Sequence, residues 1–121
     1  MFAPAINLAR LTRCCSCSTF RNNRANELGG ALFRTQNSAV RDMLIDRSLF
    51  EANTGRLGGV SFIKQNDVVV RASTFTGNRA TGSNFGNGGG AGAGIFSNGL
   101  GSTLTVEHST FTGNQAIGTD A

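Results

Sequence analysis

Three cysteines near the start of the chain are the side chains best able to bind a metal or to do redox chemistry. Cys14, Cys15 and Cys17 lie close together, but the chain has one histidine, His108, which is far away in the sequence. A structural zinc site needs four ligands at suitable spacing, so we expect no metal. Free cysteines are most often small buried apolar residues, which predicts that Cys15 and Cys17 point inward and Cys14 outward. We expect His108 to be a surface or corner residue and not a catalytic base.

Carboxylates are the second group that could do chemistry, because glycosidases and calcium-dependent lyases use acidic residues clustered on one face. The chain has 7 of them, spread along the sequence. Those on predicted strands or near turns are Asp42, Asp46, Glu51, Asp67, Glu107 and Asp120. We expect no pair at equivalent outward positions of neighbouring repeats. The glycine-rich stretch 86–94 also lacks the spacing of a phosphate-binding loop. The sequence therefore predicts no catalytic residue, no cofactor and no enzymatic activity.

Charge and hydropathy argue against two further classes of function. The 121 residues suffice for one domain, and the net charge of +4 comes from 11 basic and 7 acidic side chains. The arginines are spread without a basic run, so we expect no nucleic-acid partner. The longest aliphatic runs, 43–45 and 68–70, are far shorter than a membrane-spanning helix, and residues 1–13 lack the pattern of a secretory signal. We expect no membrane insertion by this segment.

A six-residue motif organises the sequence. Ser-x-Phe-x-x-Asn begins at Ser18, Ser48, Ser73 and Ser109. Random placement of the same residue types would give Phe-x-x-Asn about once, so four copies define a repeat. The motif supplies two sets of candidate structural residues, which are Phe20, Phe50, Phe75 and Phe111, and Asn23, Asn53, Asn78 and Asn114.

A second block, rich in glycine, lies between copies of the motif. It reads GGALF at 29–33, GGVSF at 58–62 and GAGIF at 92–96, which adds Phe33, Phe62 and Phe96 to the candidate structural residues. The steps between motif phenylalanines are unequal, which is typical of loops of different length on a constant structural unit. The paired glycines predict a corner where the backbone takes positive φ or lies close to another turn of chain.

Apolar and polar residues alternate around each motif, which is the pattern of strands and not of helices. One repeat cannot bury its own phenylalanine, so the repeats have to stack and share a core. The sequence therefore predicts an all-β fold: a right-handed parallel β-helix, a single-stranded solenoid of about four coils spaced about 4.8 Å apart. Within it the motif phenylalanines are predicted to stack with their rings offset, and the motif asparagines to form a hydrogen-bonded ladder at a corner.

The position four residues before each motif phenylalanine is predicted to face outward. It is occupied in turn by Ser16, Asp46, Arg71 and Glu107. Opposite charges would then be neighbours on adjacent coils, each pair contributing about a few tenths of a kcal/mol.

The pairing of Phe-x-x-Asn with a Gly-Gly-Ala-hydrophobic block resembles the polymorphic outer membrane protein repeat. That repeat is the hallmark of chlamydial polymorphic membrane proteins and of related right-handed parallel β-helix proteins. The resemblance covers about residues 12–121. Phe-x-x-Asn is intact in all four units, whereas the glycine block departs at Val60 and at Ala93-Gly94. The resemblance implies a cell-surface or secreted passenger, often adhesive, whose signal peptide and membrane-anchoring barrel lie outside this sequence.

We divide the chain into a leader or short capping helix at 1–11 and β-helix repeats at 12–121, with units near 12–37, 38–66, 67–99 and 100–121. The last unit stops where its glycine block would begin, so we expect a fragment of a longer chain. The segment 81–91 is predicted to loop out of the third unit and carries Phe85, the candidate contact with a partner; a neutral flexible insertion is the alternative. Open sheet edges at the two ends predict self-association.

The predicted function is non-catalytic. We expect a surface-exposed or secreted β-helix segment, extracellular or at the cell surface or outer membrane, that acts as an adhesin-like or structural scaffold module. Its partner would be a cell-surface protein or a glycan. The alternative is a fragment of a polysaccharide-active β-helix enzyme, a lyase or a glycoside hydrolase, that lacks its catalytic coils. Flanking coils with stacked aspartates would favour the enzyme, and a C-terminal barrel would favour the surface protein.

Overall fold

The computed structural model describes residues 12–36, 42–64, 67–82, 93–99 and 101–117. The predicted leader or capping helix at 1–11 lies outside these ranges, as do Phe85 and most of the predicted insertion. The regular structure of the described residues consists of strands, with no helix among them. The prediction of an all-β fold is therefore confirmed.

The strands are short, because each repeat is broken by turns into segments of two to eight residues. In chain order they are β1 (Thr12–Ser16), β2 (Thr19–Arg21), β3 (Gly29–Gln36), β4 (Asp42–Asp46), β5 (Leu49–Glu51), β6 (Thr54–Gly55), β7 (Gly58–Lys64), β8 (Asp67–Arg71), β9 (Thr74–Thr76), β10 (Arg79–Ala80), β11 (Ile95–Asn98), β12 (Thr103–Glu107), β13 (Thr110–Thr112) and β14 (Gln115–Ala116).

The strands belong to four sheets and do not form one stack. The sheet orders are β1-β4-β8-β12, β2-β5-β9-β13, β3-β7-β11 and β6-β10-β14. Consecutive strands of the chain belong to different sheets, and each sheet collects its strands from successive repeats. Every strand pairing among the described residues is parallel. The parallel pairing that the repeats predicted is therefore present.

Pairing aligns equivalent residues of successive repeats. Phe50 pairs with Phe20 on one side and Phe75 on the other. Val68 pairs in the same way with Met43 and Leu104. The first repeat departs from this alignment, because a register shift in β1 places Arg13 against Leu44 instead of Met43.

The core lies between the sheets of the two middle repeats. Its fully buried members come from the inward positions of the strands, and they are Met43, Ile45, Phe50, Val60, Val68, Val70 and Phe75. A smaller cluster holds Leu57 and Ala80, with Leu28, Ala93 and Phe96 packed against it. The first and last repeats each cover one side of this core, which leaves the last repeat's own apolar side chains exposed.

Each motif is bounded by two corners at which the backbone has positive φ. The corner before the motif is at Cys17, Arg47, Ala72 and His108, with φ between 46° and 50°. The corner after the motif phenylalanine is at Asn22, Ala52, Gly77 and Gly113, with φ between 54° and 62°. Left-handed backbone costs a residue with a Cβ about 1–2 kcal/mol, so these six non-glycine residues are strained by their positions.

Replacing a strained alanine at a corner by glycine should stabilise the protein. Ala52→Gly removes the Cβ at φ 54° on an exposed corner, and we expect a gain of about 0.5–1 kcal/mol in the free energy of unfolding. The matched control is Ala80→Gly, which removes a buried methyl group from a strand and should destabilise the protein by about 1 kcal/mol. Urea unfolding of both variants measures the two changes, and a loss of stability in Ala52→Gly would contradict the corner assignment.

Candidate functional site

The motif phenylalanines form one column through all four repeats. Ring centroids lie 4.7 Å apart for Phe20 and Phe50, 4.7 Å for Phe50 and Phe75, and 4.8 Å for Phe75 and Phe111, with the planes within 4° of parallel. This separation equals the spacing of neighbouring strands, so the backbone sets the distance between the rings. Phe50 and Phe75 are fully buried, whereas Phe111 is 44% exposed.

The motif asparagines form a second column that is held by hydrogen bonds. Each of the first three asparagines donates from its backbone N–H and its Nδ2 to Oδ1 of the asparagine in the next repeat, at distances of 2.9–3.0 Å. From the second repeat onward, Nδ2 also donates to the carbonyl of the phenylalanine in the preceding repeat. Asn53 and Asn78 are fully buried, so this pairing satisfies polar groups that water cannot reach.

The motif serines form a third column, and no structural role was predicted for them. The backbone N–H of Ser18, Ser48 and Ser73 each donates to Oγ of the serine in the next repeat, at 3.1–3.2 Å. Each serine hydroxyl donates in turn to the carbonyl two residues before it. The recurrence of serine two residues before each motif phenylalanine was the sequence signal for this column.

The phenylalanines of the glycine block do not form a column, so their predicted alignment is wrong. Phe33 and Phe96 both pair with Ser61, whereas Phe62 pairs with Arg34 and Ser97. For Phe33 the cause is an irregularity in β3, where the register shifts between Gly29 and Leu32. Phe96 is offset from Phe62 by one residue in the regular pairing of β11 with β7. The aligned residues are instead aliphatic: Leu32, Val60 and Ile95.

Phe33 and Phe96 share one register position but have different environments. Phe33 is 40% exposed, and Phe96 packs against the small cluster around Leu57 and Ala80. The register also explains the glycine block of the second repeat. Val60 does not replace the alanine of the other repeats, because it occupies the inward aliphatic position.

Glycines in this region are required by close packing. A Cβ on Gly55 would lie 2.3–2.4 Å from backbone atoms of neighbouring residues, and one on Gly59 would lie 3.0 Å from the side chain of Asn78. The predicted corner glycine with positive φ is Gly58, at 141°. The glycine block therefore lets the backbone approach the asparagine column.

Asp46 has the predicted register position beside Ser16 and Arg71, but its side chain is buried and not exposed to solvent. It is 6% exposed and accepts hydrogen bonds from Arg71 Nε at 2.9 Å and Arg47 Nε at 3.1 Å. The bond from Arg71 lowers the pKa of Asp46; desolvation opposes the change, and Arg47 adds to the lowering. The expected alternation of charge is present, since Arg71 stands between Asp46 and Glu107 in register.

Two further side-chain predictions are corrected. Cys17, predicted to point inward, is exposed because it lies at a positive-φ corner, where the chain turns between strands. Asp42 and Asp67, predicted not to share equivalent positions, pair directly across β4 and β8. Asp67 accepts a hydrogen bond from Thr103 Oγ1 in the following repeat at 2.9 Å. His108 is an exposed corner residue, as the sequence predicted.

A metal site is not formed by the part of the chain that the structure describes, since no three of its His, Cys, Asp or Glu side chains cluster. Within the same ranges, no helix has the length and apolarity needed to cross a membrane.

Four of the five exposed large apolar side chains among the described residues lie in the last repeat. Leu104, Val106, Phe111 and Ile117 are 39–44% exposed there. An open groove of about 460 Å³ lies on this face, lined by Ala93, Gly94, Ile95, Leu104, Val106, Phe111, Asn114 and Ala116. Residues at the same register positions in the preceding repeat are buried, so this surface is the core-facing side of a repeat over which the described part of the chain places no further repeat. We call it the terminal face.

Comparison with known proteins identifies no relative: no family model, no curated protein and no solved structure matches the chain.

Asparagine at the middle of the ladder should contribute more stability than asparagine at its end. Asn78→Ala removes the acceptor for two donors of Asn53 and the donor that Asn78 supplies to the carbonyl of Phe50 in the core, so we expect a loss of about 3 kcal/mol. Asn114→Ala removes equivalent bonds at a position that water reaches, and we expect a loss of about 1 kcal/mol. Denaturant unfolding measures both, and equal losses would contradict a buried ladder.

Stability should depend on the ionisation of Asp46. Because the pKa of Asp46 is lower in the folded protein than in the unfolded chain, its contribution is present above a pH of about 4 and is lost as pH falls through the folded-state value. Asp46→Asn should therefore destabilise the protein by about 1.5 kcal/mol at pH 7, with the difference from wild type shrinking in acid.

Unfolding free energies between neutral and acidic pH measure this effect. The control is Glu51→Gln, which breaks the more exposed ion pair with Arg21 and should cost less at pH 7. A difference between wild type and Asp46→Asn that stays constant across the pH range would show that the carboxylate charge has no stabilising role.

Proposed function

We propose that the chain is a segment of right-handed parallel β-helix, similar to the polymorphic outer membrane protein repeat. We assign it the role of a non-catalytic scaffold or adhesin-like module on the cell surface or in the extracellular space. The observation that carries the proposal is the unbroken alignment of three side-chain columns through all four repeats. Each repeat contributes successive strands to different sheets, and the next repeat adds the neighbouring strand to each of the same sheets. This is the connectivity of a solenoid.

The columns support a structural role for the motif. The phenylalanine rings and the asparagine and serine side chains contact their own equivalents in neighbouring repeats. Motif residues are thereby used to join repeats. The outward positions of the strands and the loops remain free to vary in sequence, and a surface module needs such variable positions to contact a partner.

The composition of the surface fits an extended module outside the cell. Charged residues make up 15% of the chain, and the ion pairs at Arg21–Glu51 and Arg56–Glu27 are exposed. One strand position holds threonine in three of the four repeats, at Thr19, Thr74 and Thr110, with Leu49 in the second repeat. Such a polar, weakly charged exterior suits contact with proteins or glycans.

Surface exposure is tested on intact cells that express the protein with its natural flanking sequence. Added trypsin, which cleaves at lysine and arginine, should remove the protein from intact cells while a cytoplasmic marker survives. Complete protection of the protein in intact cells, with cleavage after lysis, would rule out a surface location.

Adhesion to cells is tested with beads coated with the full chain. Binding to cultured cells should saturate and should be competed by soluble protein. The Phe85→Ala variant removes the predicted partner contact and should weaken binding by about tenfold, as for a typical interface anchor. Phe33→Ala is the matched control, because Phe33 is an exposed phenylalanine elsewhere on the chain. Equal binding by all three proteins would remove Phe85 from the contact, and absence of saturable binding would leave the scaffold role alone.

The polysaccharide-enzyme alternative has one observation in its favour, the pairing of Asp42 with Asp67 on adjacent strands. Carboxylates about 5 Å apart are used by retaining glycosidases. Release of reducing ends or unsaturated products from acidic polysaccharides by the wild type, lost in Asp67→Asn, would support it. Activity equal in wild type and variant would show that this pair is not the site.

A further inference from the structure

We propose that the terminal face binds the first repeat of a second copy of this chain, so that molecules stack head to tail. The inference rests on the proposed β-helix, because the outer sides of its first and last described repeats are the two sides of one repeating interface. Three observations carry it: the geometry of the interface between the third and fourth repeats, the hydrogen-bonding groups of the first and last repeats that have no partner among the described residues, and the charges of these two repeats.

The interface between the third and fourth repeats is the template. Ser73 N–H donates to Ser109 Oγ at 3.1 Å, and Asn78 donates from N–H and Nδ2 to Asn114 Oδ1 at 3.0 and 2.9 Å. Asn114 Nδ2 donates back to the carbonyl of Phe75 at 2.8 Å. The stacked rings of Phe75 and Phe111 complete the contact. Equivalent contacts join every pair of successive repeats in the described chain.

The terminal face carries the donor half of this interface. Ser109 N–H, Asn114 N–H and Asn114 Nδ2 occupy the positions that donate to the next repeat, and the described residues include no next serine or asparagine. The carbonyl of Phe111 likewise occupies the position that accepts from a following asparagine. Exposed Phe111 and the groove beside it supply the apolar part of the surface.

The first repeat carries the acceptor half. Ser18 Oγ donates to the carbonyl of Ser16, and no described residue donates to that oxygen. Asn23 uses its N–H and Nδ2 as donors to Asn53, and its Oδ1 receives no hydrogen bond from the described residues. In a head-to-tail stack, Ser109 N–H donates to Ser18 Oγ of the second copy. Asn114 donates to Asn23 Oδ1, and Asn23 Nδ2 donates to the carbonyl of Phe111.

The two ends also have charges of opposite sign. Residues 12–36 contain four arginines and one glutamate, whereas residues 101–117 contain a single charged residue, Glu107. The exposed arginines Arg21 and Arg24 lie in the first repeat. Opposite charge favours encounter of unlike ends and disfavours pairing of two first repeats.

Such an interface joins different surfaces on the two molecules, so it does not close into a dimer. Heterologous contacts of this kind generate open chains of molecules. We expect filaments whose length increases with protein concentration and decreases at high salt.

The first test compares two variants of the full chain. Each introduces a lysine on β12, one at a residue that lines the groove and one at the adjacent residue. Val106 faces the groove and Thr105 is the adjacent exposed residue on the strand. Val106→Lys should raise the concentration needed for assembly by about tenfold or more, because stacking would bury an unpaired charge. Thr105→Lys should assemble like wild type. Sedimentation velocity measures assembly, and far-ultraviolet circular dichroism shows that both variants keep the β-sheet signal.

Val106→Lys should also act as a terminator. Its first repeat is intact, so it can add to the terminal face of wild type but cannot be extended, and trace amounts should shorten wild-type filaments. If it lost its fold, its circular dichroism would change and it would not shorten them.

The second test determines polarity and does not depend on that variant. Cys17 and His108 occupy the same corner in the first and last repeats, about 14 Å apart within one molecule. In a stack, Cys17 of the second copy lies about 4.8 Å above His108, within the Cα range that a disulfide spans. With Cys14→Ser and Cys15→Ser, His108→Cys should give oxidised ladders of covalent oligomers. Thr112→Cys, exposed on the same repeat in a different column, should not.

Four outcomes would overturn the proposal: a wild type that stays monomeric at high concentration, equal assembly of Val106→Lys and Thr105→Lys, crosslinks between two first repeats or two last repeats, and equal crosslinking of the two cysteine variants. In each case a trypsin-accessible protein with an unchanged β-sheet signal would leave the proposed surface role intact.

Discussion

The spacing between parallel strands is the constraint on which the rest of this structure depends. Neighbouring strands in a sheet lie about 4.8 Å apart, and in-register pairing places each residue directly over its equivalent in the next repeat. A ring in such a column has its neighbours at 4.7–4.8 Å, as found for the motif phenylalanines. A side chain is therefore acceptable in a column only if it packs well against a copy of itself. Phenylalanine does so by parallel stacking, and asparagine does so because its amide carries both donors and an acceptor.

The serine and asparagine columns supply hydrogen bonds to backbone groups near the turns. Each motif is bounded by backbone corners, and a corner inside a stack of repeats leaves N–H and carbonyl groups out of the sheet ladders. The serine hydroxyls and asparagine amides accept from the backbone N–H groups of the preceding repeat at these places. The asparagine amide also donates to the phenylalanine carbonyl, so one side chain joins the corner to the aromatic column. Ordered polar networks of this kind make the repeat-to-repeat interface specific as well as stable.

The same repetition creates the special character of the ends. In the middle repeats, Phe50, Asn53, Phe75 and Asn78 are fully buried, because an equivalent residue lies on each side. Among the described residues the last repeat has the same residue types with an equivalent residue on one side only, and its apolar side chains and its groove are exposed. The chemistry of this face is therefore that of the repeat. Partner recognition at the sides of the molecule would depend on a different set of residues, since outward positions are not tied to the columns.

Much of this architecture could be predicted from the sequence, because four copies of one short motif report directly which residues share a column. The alternation of apolar residues around Phe50 and Phe75 gave the strands, and the need for shared burial gave parallel pairing between repeats. The unequal steps between motifs correctly placed length variation outside the motif. These predictions depend on local patterns that survive in every repeat.

The tertiary structure alone decided the features that depend on where the backbone turns. Arg47 and Ala72 carry no signal for left-handed φ, so their corners were not predictable, and neither was the exposure of Cys17. Asp46 is buried because Arg47 at the corner and Arg71, its partner on the neighbouring strand, both bond its carboxylate. Phe33 and Phe62 have similar sequence contexts, but an irregularity in β3 puts them one residue out of register. A shift of one residue in a strand moves a side chain to the opposite face of the sheet. Repetition in the sequence therefore determines which side chains stack in columns. The side of the sheet on which a side chain outside the columns lies is determined by strand irregularities and corners, which involve few residues.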